Sequence, residues 1–355
     1  MRFLFVTGRE IKYQRNDVLR RALKRIGNVE TVGVTNRPKS IILNSLLLSL
    51  LVIPKLIFNR YDLVFVGFYG QLLMFPVSVF SRFPLLFDAF VSTFDTLTSD
   101  RNLISPDSAV GRSMIFVDKF ACQRASHVIL DTQPHVDYFV DLYKVPANKF
   151  SALPVGCNEE IFFPRGNKST NTNTRVLYYS SYFPLHGVGT VVQAASYLRD
   201  KPIEFRLIGS GQTYKETKII SEQLGLQNIE FIPRIPLEEL PSEIAAADIC
   251  LGGHFGITEK AARVVPGKIY QILAMAKPLI AANTRANLDL LQHEESAYLC
   301  SPNDPDNLAR AILYFHENPS IRYQVAKKGR AVYEAMASEE VITRLLKAIV
   351  EDLVS

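Results

Sequence analysis

The chain contains no tryptophan, and its four cysteines stand far apart with no C-x-x-C pair among them. Cys122, Cys157, Cys250 and Cys300 therefore make neither a zinc ribbon nor a dithiol centre. Three of them sit in or beside apolar strand-like runs, where a reduced thiol acts as a small hydrophobe, so a reducing, cytoplasmic setting is expected. The G-x-G-x-x-G dinucleotide fingerprint is missing, which argues against a dehydrogenase. His127, His135, His254, His293 and His316 have no metal-ligand spacing, and Asp304-Pro-Asp306 reads as a turn and helix cap before "LARAI". No resident metal or cofactor is expected. The opening "MRFLFVTG" has too few apolar residues for a signal-peptide core and reads as a first strand.

What is present is a chain of 355 residues, 48% hydrophobic, with a net charge of +5. That excludes a disordered chain and leaves room for two domains of about 150–200 residues each. The charge is uneven: residues 1–60 hold twelve Lys/Arg against Glu10, Asp17 and Glu30, a local +9. The same segment contains "IILNSLLLSLLVIPKLIF", long enough to raise the question of a membrane span. Asn44, Ser45 and Ser49 interrupt it, Pro54-Lys55 breaks it, and strand-like runs flank it. A buried or half-buried crossover helix is the first reading, an interfacial helix on an anionic membrane, helped by Lys39 and Lys55, is the second, and a true span is the third.

Strand and helix patterns alternate throughout, from "RFLFVTG", "VETVGV", "YDLVFVGF", "PLLFDAF" and "HVILDT" to "RVLYYSS", "IEFRLIGSG", "IEFIP", "DICLGG", "LIAANT" and "AYLC". This is the parallel α/β signature, interrupted by the polar run "RGNKSTNTNT". The expected organisation is a Rossmann-like domain over 1–164, a linker over 165–174, a second such domain over 175–337, and a helix over 338–355 returning to the first. Two open parallel sheets facing each other would make a cleft, and ligands bind outside the carboxyl ends of such strands. The strand-end residues Gly8, Asp88, Ser180, Gly209, Gly211 and Gly252 are therefore the ones to question, with the loop 253–267.

In that loop, Pro266-Gly267 stops any preceding helix and "KIYQILAMA" starts a new one, whose first N–H groups form a positive pole. Lys268 in that first turn has the wrong sign for the helix dipole, a penalty of about 0.3–1 kcal/mol unless an anion is bound. With Lys260 and Arg263 just upstream, the loop reads as a phosphate site, against the alternative of a solvated basic loop. "IGSG" at Gly209 to Gly211 is a turn that would let backbone approach a nucleotide, or a plain strand-to-helix connection.

The C-terminal half, from "VLYYSSYFPLHGVGTVVQAASYL" through "FRLIGSGQ", "IEFIPRIPLEELPSEIAAADICL" and "KIYQILAMAKPLIAANT" to "SPNDPDNLARAI", resembles the donor domain of retaining glycosyltransferases of family 4. "LPVGCNEEIFFP" is similar to that family's interdomain crossover, so the resemblance covers nearly the whole chain. It implies the GT-B fold, two Rossmann-like domains with the last helix packing back across both, and a nucleotide-diphosphate sugar as donor. The family's Arg and Lys of the first C-terminal loop fall on Ser181 and His186, and its paired glutamates on Arg263 and Gln271, so the chain resembles a divergent subgroup without those carboxylates. By this correspondence Lys260, Arg263, Lys268, His186 and Gly187 would hold the diphosphate. Gly209, Gly211, Arg234, Ile235 and Gln271 would hold the nucleotide, Gln271 through a ribose hydroxyl.

Family members often carry a His shortly after the fourth strand; here that region gives Phe90 and Ser92. Asp88, which opens a polar loop of about twenty residues, is the candidate acceptor-side catalytic residue beside His186 and Arg263, the alternative being an Asp that holds neighbouring backbone. Gly8, Arg15, Asn16 and Ser92 are the acceptor-side candidates, plain surface being the alternative for Gly8, Arg15 and Asn16. The expected function is metal-independent, retaining transfer of a sugar to a glycan, lipid-linked or small-molecule acceptor. A non-catalytic subunit of the same fold and a nucleotide-sugar epimerase are the alternatives.

Overall fold

The computed structural model describes residues 1–36, 40–166 and 173–355. Two compact units divide the chain: Met1–Asn158 with Glu339–Ser355, and Glu159–Ser338. The change of unit falls at Asn158/Glu159, upstream of the polar run expected as linker. Residues 167–172 of that run, like Lys39, lie outside the described residues.

The first unit runs β1 (Arg2–Glu10), α1 (Gln14–Ile26), β2 (Asn28–Val34), α2 (Ile41–Phe58), β3 (Leu63–Val66), α3 (Met74–Phe80), β4 (Leu85–Asp88), the single turn α4 (Thr93–Asp95), α5 (Ala109–Arg124), β5 (His127–Leu130), α6 (Gln133–Tyr143) and β6 (Phe150–Ala152). Its strands pair in parallel in the order β2-β1-β3-β4-β5-β6. Phe3, Leu4, Phe5 and Val6 are all fully buried, the continuous apolar run that a parallel sheet covered on both faces requires. The period of two then sorts them: Leu4 and Val6 join Leu48, Val52, Val77 and Ala121 on one face, while Phe3 and Phe5 join Val18, Leu19 and Leu23 on the other.

The second unit runs β7 (Thr174–Ser180), α7 (Val188–Tyr197), β8 (Ile203–Gly209), α8 (Tyr214–Gln223), β9 (Ile229–Ile232), α9 (Leu240–Ala246), β10 (Ile249–Gly253), α10 (Glu259–Arg263), α11 (Gly267–Ala274), β11 (Leu279–Ala282), α12 (Arg285–Leu288), β12 (Tyr298–Cys300), α13 (Pro305–Glu317) and α14 (Pro319–Met336). Its parallel order is β12-β11-β10-β7-β8-β9, so the winding reverses between β7 and β10. In the first unit the reversal lies between β1 and β3.

The last helix, α15 (Glu339–Val354), belongs to the first unit. Ile342, Leu346 and Val350, one turn apart, pack on Val18, Leu19 and Leu23 of α1. At its start Glu339, 3% exposed, receives Arg21 Nε at 2.9 Å and Arg25 Nη2 at 2.6 Å. Part of the positive excess of the first sixty residues is thus met inside the unit by acids from beyond them: Arg15 pairs with Asp88, and Arg21 and Arg25 share Glu339.

Helix α2 is half-buried in an unexpected sense. The residues that interrupt its apolar run, Asn44 and Ser45, turn inward with Leu48, Val52 and Leu56, and Asn44 Nδ2 donates to the Gly8 carbonyl at 3.0 Å. Its outward face is therefore unbroken aliphatic surface.

Candidate functional site

The reversal between β7 and β10 leaves a crevice at their carboxyl ends, where two loops are stitched together by backbone. Gly256 N donates to Leu185 O at 3.0 Å and Phe255 N to His186 O at 3.3 Å, and the Tyr178 hydroxyl donates to His186 O at 2.6 Å. Gly187 sits at φ +61°, and a Cβ there would stand 2.4 Å from the Phe255 carbonyl carbon, so the close approach requires glycine. This stitching stacks the His186 and His254 rings, with centroids 5.2 Å apart.

His186 Nδ1 accepts the Phe183 N–H at 3.2 Å, which leaves its Nε2 as the N–H donor. His254 is 6% exposed, and its Nδ1 is a buried atom without a hydrogen-bond partner among the described residues. Burial, reinforced by Lys268 and Lys260, holds both imidazoles well below their ordinary pKa, so both are neutral at pH 7.

Lys268 completes the cluster. It stands in the first turn of α11, 9% exposed, with Nζ 4.1 Å from the centre of the Tyr178 ring and 5.7 Å from that of Tyr179. Nζ has no hydrogen-bond partner among the described residues, and burial lowers its pKa to about 7. A buried amine with three unused donors at a positive helix pole is unfavourable by itself and favourable around an anion. Lys260, 7% exposed, lies on α10, which Thr258 caps through the Ala261 N–H at 3.2 Å. Arg263 Nη1 lies 3.6 Å from Glu259 one turn before it. A cavity of about 290 Å³ touches both stitched loops, lined by Gly187, Gly189, Thr190, Thr213, Gly256 and Asn303 among others.

Of the expected phosphate residues, Lys260 and Lys268 both lie near enough to act on the His186 imidazole, and His254, stacked on His186, joins them unforeseen. Gln271 is buried in the next turn of α11, its Oε1 accepting from the Tyr179 hydroxyl at 2.9 Å. Gly209 and Gly211 lie at the end of β8, where a Cβ would come within 1.9 Å of Ser180 O and 1.8 Å of Ser181 O respectively. Arg234, exposed, and Ile235 follow the edge strand β9. Among the described residues no group of three or more His, Cys, Asp or Glu could hold a metal.

The acceptor-side expectations need correction. Asp88 and Arg15 are both 0% exposed and form an ion pair: Arg15 Nη2 reaches Oδ1 at 3.0 Å and Nε reaches both carboxylate oxygens at 3.2 Å. Arg15 Nη1 also donates to the Leu153 and Pro154 carbonyls at 2.7 and 2.8 Å. The pair ties α1 to β4 and to the segment after β6; a carboxylate so enclosed does not meet a substrate. Asn16 is likewise filled by Thr7, Glu10 O and Phe68 N. Ser92 caps α4 and bonds Asp118 and Tyr143. At Gly8 a Cβ would stand 2.2 Å from Tyr69 O, and its own carbonyl is taken by Asn44.

What this unit offers at its own reversal point is aromatic. Arg9 lies over the Tyr13, Tyr69 and Phe68 rings at 5.1, 5.2 and 5.8 Å, and pairs with Glu10 at 2.5 Å. Phe90 abuts Phe68 at 4.9 Å. Tyr69 and Phe90 adopt φ of +60° and +45°, rarely used by aromatic residues and concentrated in proteins at sites that bind. The only sequence signal for this group was aromatic residues just past strands, in "GFYG" and "FDAF".

Residues 159–332 match the family model described as Glycosyl transferases group 1. An amylovoran biosynthesis glycosyltransferase of Erwinia amylovora is 21% identical over 211 residues, 59% of this chain and 52% of that protein. The chain spans about half the length of the curated relatives it matches first. Sucrose-phosphate synthase of Thermosynechococcus elongatus superposes with a TM-score of 0.80 at 17% identity, covering 99% of each chain. HepE of Anabaena, crystallised in complex with UDP-glucose, superposes with a TM-score of 0.74 at 18% identity, covering 99% of this chain and 100% of that one. The chain shares the GT-B fold of these solved structures, and its match to the glycosyl transferases group 1 model is confined to residues 159–332.

Proposed function

We propose that the protein transfers a sugar from a nucleoside-diphosphate sugar to an acceptor, with the diphosphate seated on Lys268, His186, His254 and Lys260. The observation that carries this is the Lys268 ammonium, buried at a helix N-terminus with no hydrogen-bond partner among the described residues. A charged amine left so is costly, and a diphosphate supplies the missing acceptors. As the sugar–phosphate bond breaks, these fixed donors take up the charge developing on the leaving diphosphate, the contribution expected to dominate where a site has no obvious acid–base pair. In this reading no metal is needed and the acceptor proton passes to the donor's own phosphate, so the transfer retains configuration. Gly187, Gly209 and Gly211 admit the nucleotide close to backbone, Arg263 adds charge, and Arg234, Ile235 and Gln271 contact the nucleoside. A uridine diphosphate sugar is the first donor to test, since HepE was crystallised with one.

The acceptor is a glycan or a lipid-linked saccharide met on the cytoplasmic side of a membrane, resting on the aromatic group around Arg9 in place of the buried Asp88. A second reading has one observation in its favour: positions 263 and 271 hold Arg and Gln where the family's paired glutamates would fall, as in a non-catalytic subunit of the same fold. Titration of UDP, GDP and ADP into the protein, followed by an assay for sugar release from the matching nucleotide sugars, separates the two. Binding with turnover supports the transferase; binding without turnover supports the subunit; absence of binding to all three defeats both.

A further inference from the structure

We infer that the first unit docks on a lipid bilayer through the outer faces of α2, α3 and α5, and that apolar insertion rather than cationic attraction drives it. Helix α2, about 27 Å long at the usual rise, exposes Ile42, Leu43, Leu46, Leu47, Leu50 and Leu51 at 67, 57, 61, 55, 69 and 58%. Phe58 at its end is 81% exposed. These positions follow one helical stripe, and the inward turn of Asn44 and Ser45 keeps it free of polar interruptions. Helix α3 packs beside α2 and α5 beside α3, adding Val79, Phe80 and Phe116, also exposed. A contiguous apolar surface of this extent on a folded unit marks an interaction face.

Charge decides what covers it. The only acid on the three helices is Asp118, 1% exposed and held by Ser92 and Tyr143, so the ionisable side chains that reach solvent there are cations: Arg112 and Arg124, exposed, and Lys55 and Lys119, half-buried. Arg124 reaches Ser78 O on α3, and Arg82 reaches Asn59 O at the end of α2, which places cations at the rim of the apolar face. A second copy of the chain would bring that rim against itself, like charge on like charge. A bilayer instead offers phosphate at the rim and hydrocarbon beneath it, the two layers that an interfacial helix matches. Because Lys55 is bonded to Glu30, and Arg21 and Arg25 of α1 to Glu339, the cations modulate the attachment while the leucines supply it. The inference does not depend on the donor site.

Flotation of the full chain with vesicles tests it, using phosphatidylcholine alone and phosphatidylcholine mixed with phosphatidylglycerol. Wild type should float with both, keep most of its binding to the neutral vesicles in high salt, and bind the mixed vesicles a few-fold better at low salt. Leu47→Asp with Leu50→Asp should lower partition about tenfold or more on both, with melting and nucleotide titration unchanged because these side chains are exposed. Arg82→Glu with Arg124→Glu should remove only the advantage of the mixed vesicles. Wild type left in the bottom fraction with both compositions would overturn the inference, as would a leucine variant that floats like wild type. Concentration-dependent dimers abolished by the leucine change, without flotation, would assign the face to a second copy instead.

Discussion

The two units apply one topological rule with opposite chemistry. Each parallel sheet reverses its winding beside its first strand, between β1 and β3 in one and between β7 and β10 in the other. At the second unit's reversal the polar groups are unfilled: Lys268 Nζ and His254 Nδ1 are buried without hydrogen-bond partners among the described residues. At the first unit's reversal Arg15, Asp88 and Asn16 are satisfied by one another, by Thr7 or by nearby backbone, and the half-buried side chains are Arg9, Tyr13, Tyr69 and Phe90. Position in the sheet alone therefore does not single out a candidate residue; position together with an unmet hydrogen-bonding need does.

The comparison is broken most severely by treating Asp88 as the functional group and Lys268 as filler. Arg15→Met should destabilise the protein by about 3–5 kcal/mol, since it strands a buried carboxylate already raised in pKa by burial. Chemical denaturation measures this. A variant of wild-type stability with lost transfer would restore Asp88 and Arg15 as functional residues.

Smaller and opposite in kind, Lys268→Met should weaken nucleoside diphosphate binding by about 1.5–3 kcal/mol, roughly tenfold to a hundredfold, without loss of stability. Removing a buried unpaired amine should even raise the melting temperature of the free protein. Unchanged affinity would make the cluster a structural accident. At Gln271, replacement by Leu should remove the shorter of the Tyr179 hydroxyl's two contacts, leaving the one to Lys268 O at 3.4 Å, and cost about 0.5–1.5 kcal/mol of stability, whereas Gln271→Glu, which keeps an acceptor, should cost less and preserve nucleotide binding. Equal stability of the two would remove the significance of that contact.

The smallest effect sharpens the first unit. Tyr69→Ala should raise the acceptor KM in a transfer assay by an amount equivalent to about 0.5–1.5 kcal/mol, the usual worth of one aromatic contact, and leave donor affinity alone. An unchanged acceptor KM would place the acceptor away from Arg9 and its rings.

The alternating elements and the parallel class were legible because buried parallel strands announce themselves as unbroken apolar runs such as "FLFV" and "LVFV". Lys268 stood out as a candidate in the sequence because its charge conflicts with its place in the helix. The acceptor side was not, because Asp88 and Arg15 lie seventy-three positions apart and nothing local reveals that one neutralises the other. The stacking of His254 on His186 was not legible for a related reason: it arises through backbone bonds between two loops from different strands. The polar residues of α2 misled in the same way, since sequence gives their spacing around the helix but not which side faces the sheet.

Proton linkage offers the most direct test of the central claim, that the β7/β10 crevice is a diphosphate site built on a buried amine. With a free pKa of about 7, Lys268 is mostly neutral at pH 8; a bound diphosphate favours the ammonium and raises that pKa. Calorimetric titration of UDP, with GDP and ADP alongside, at pH 8 in two buffers of different ionisation enthalpy should therefore show a net uptake of protons. The uptake should fade by pH 6, where the amine is already charged, and vanish in Lys268→Met. Binding with no proton uptake at pH 8, or with the same uptake in the variant, would contradict the account.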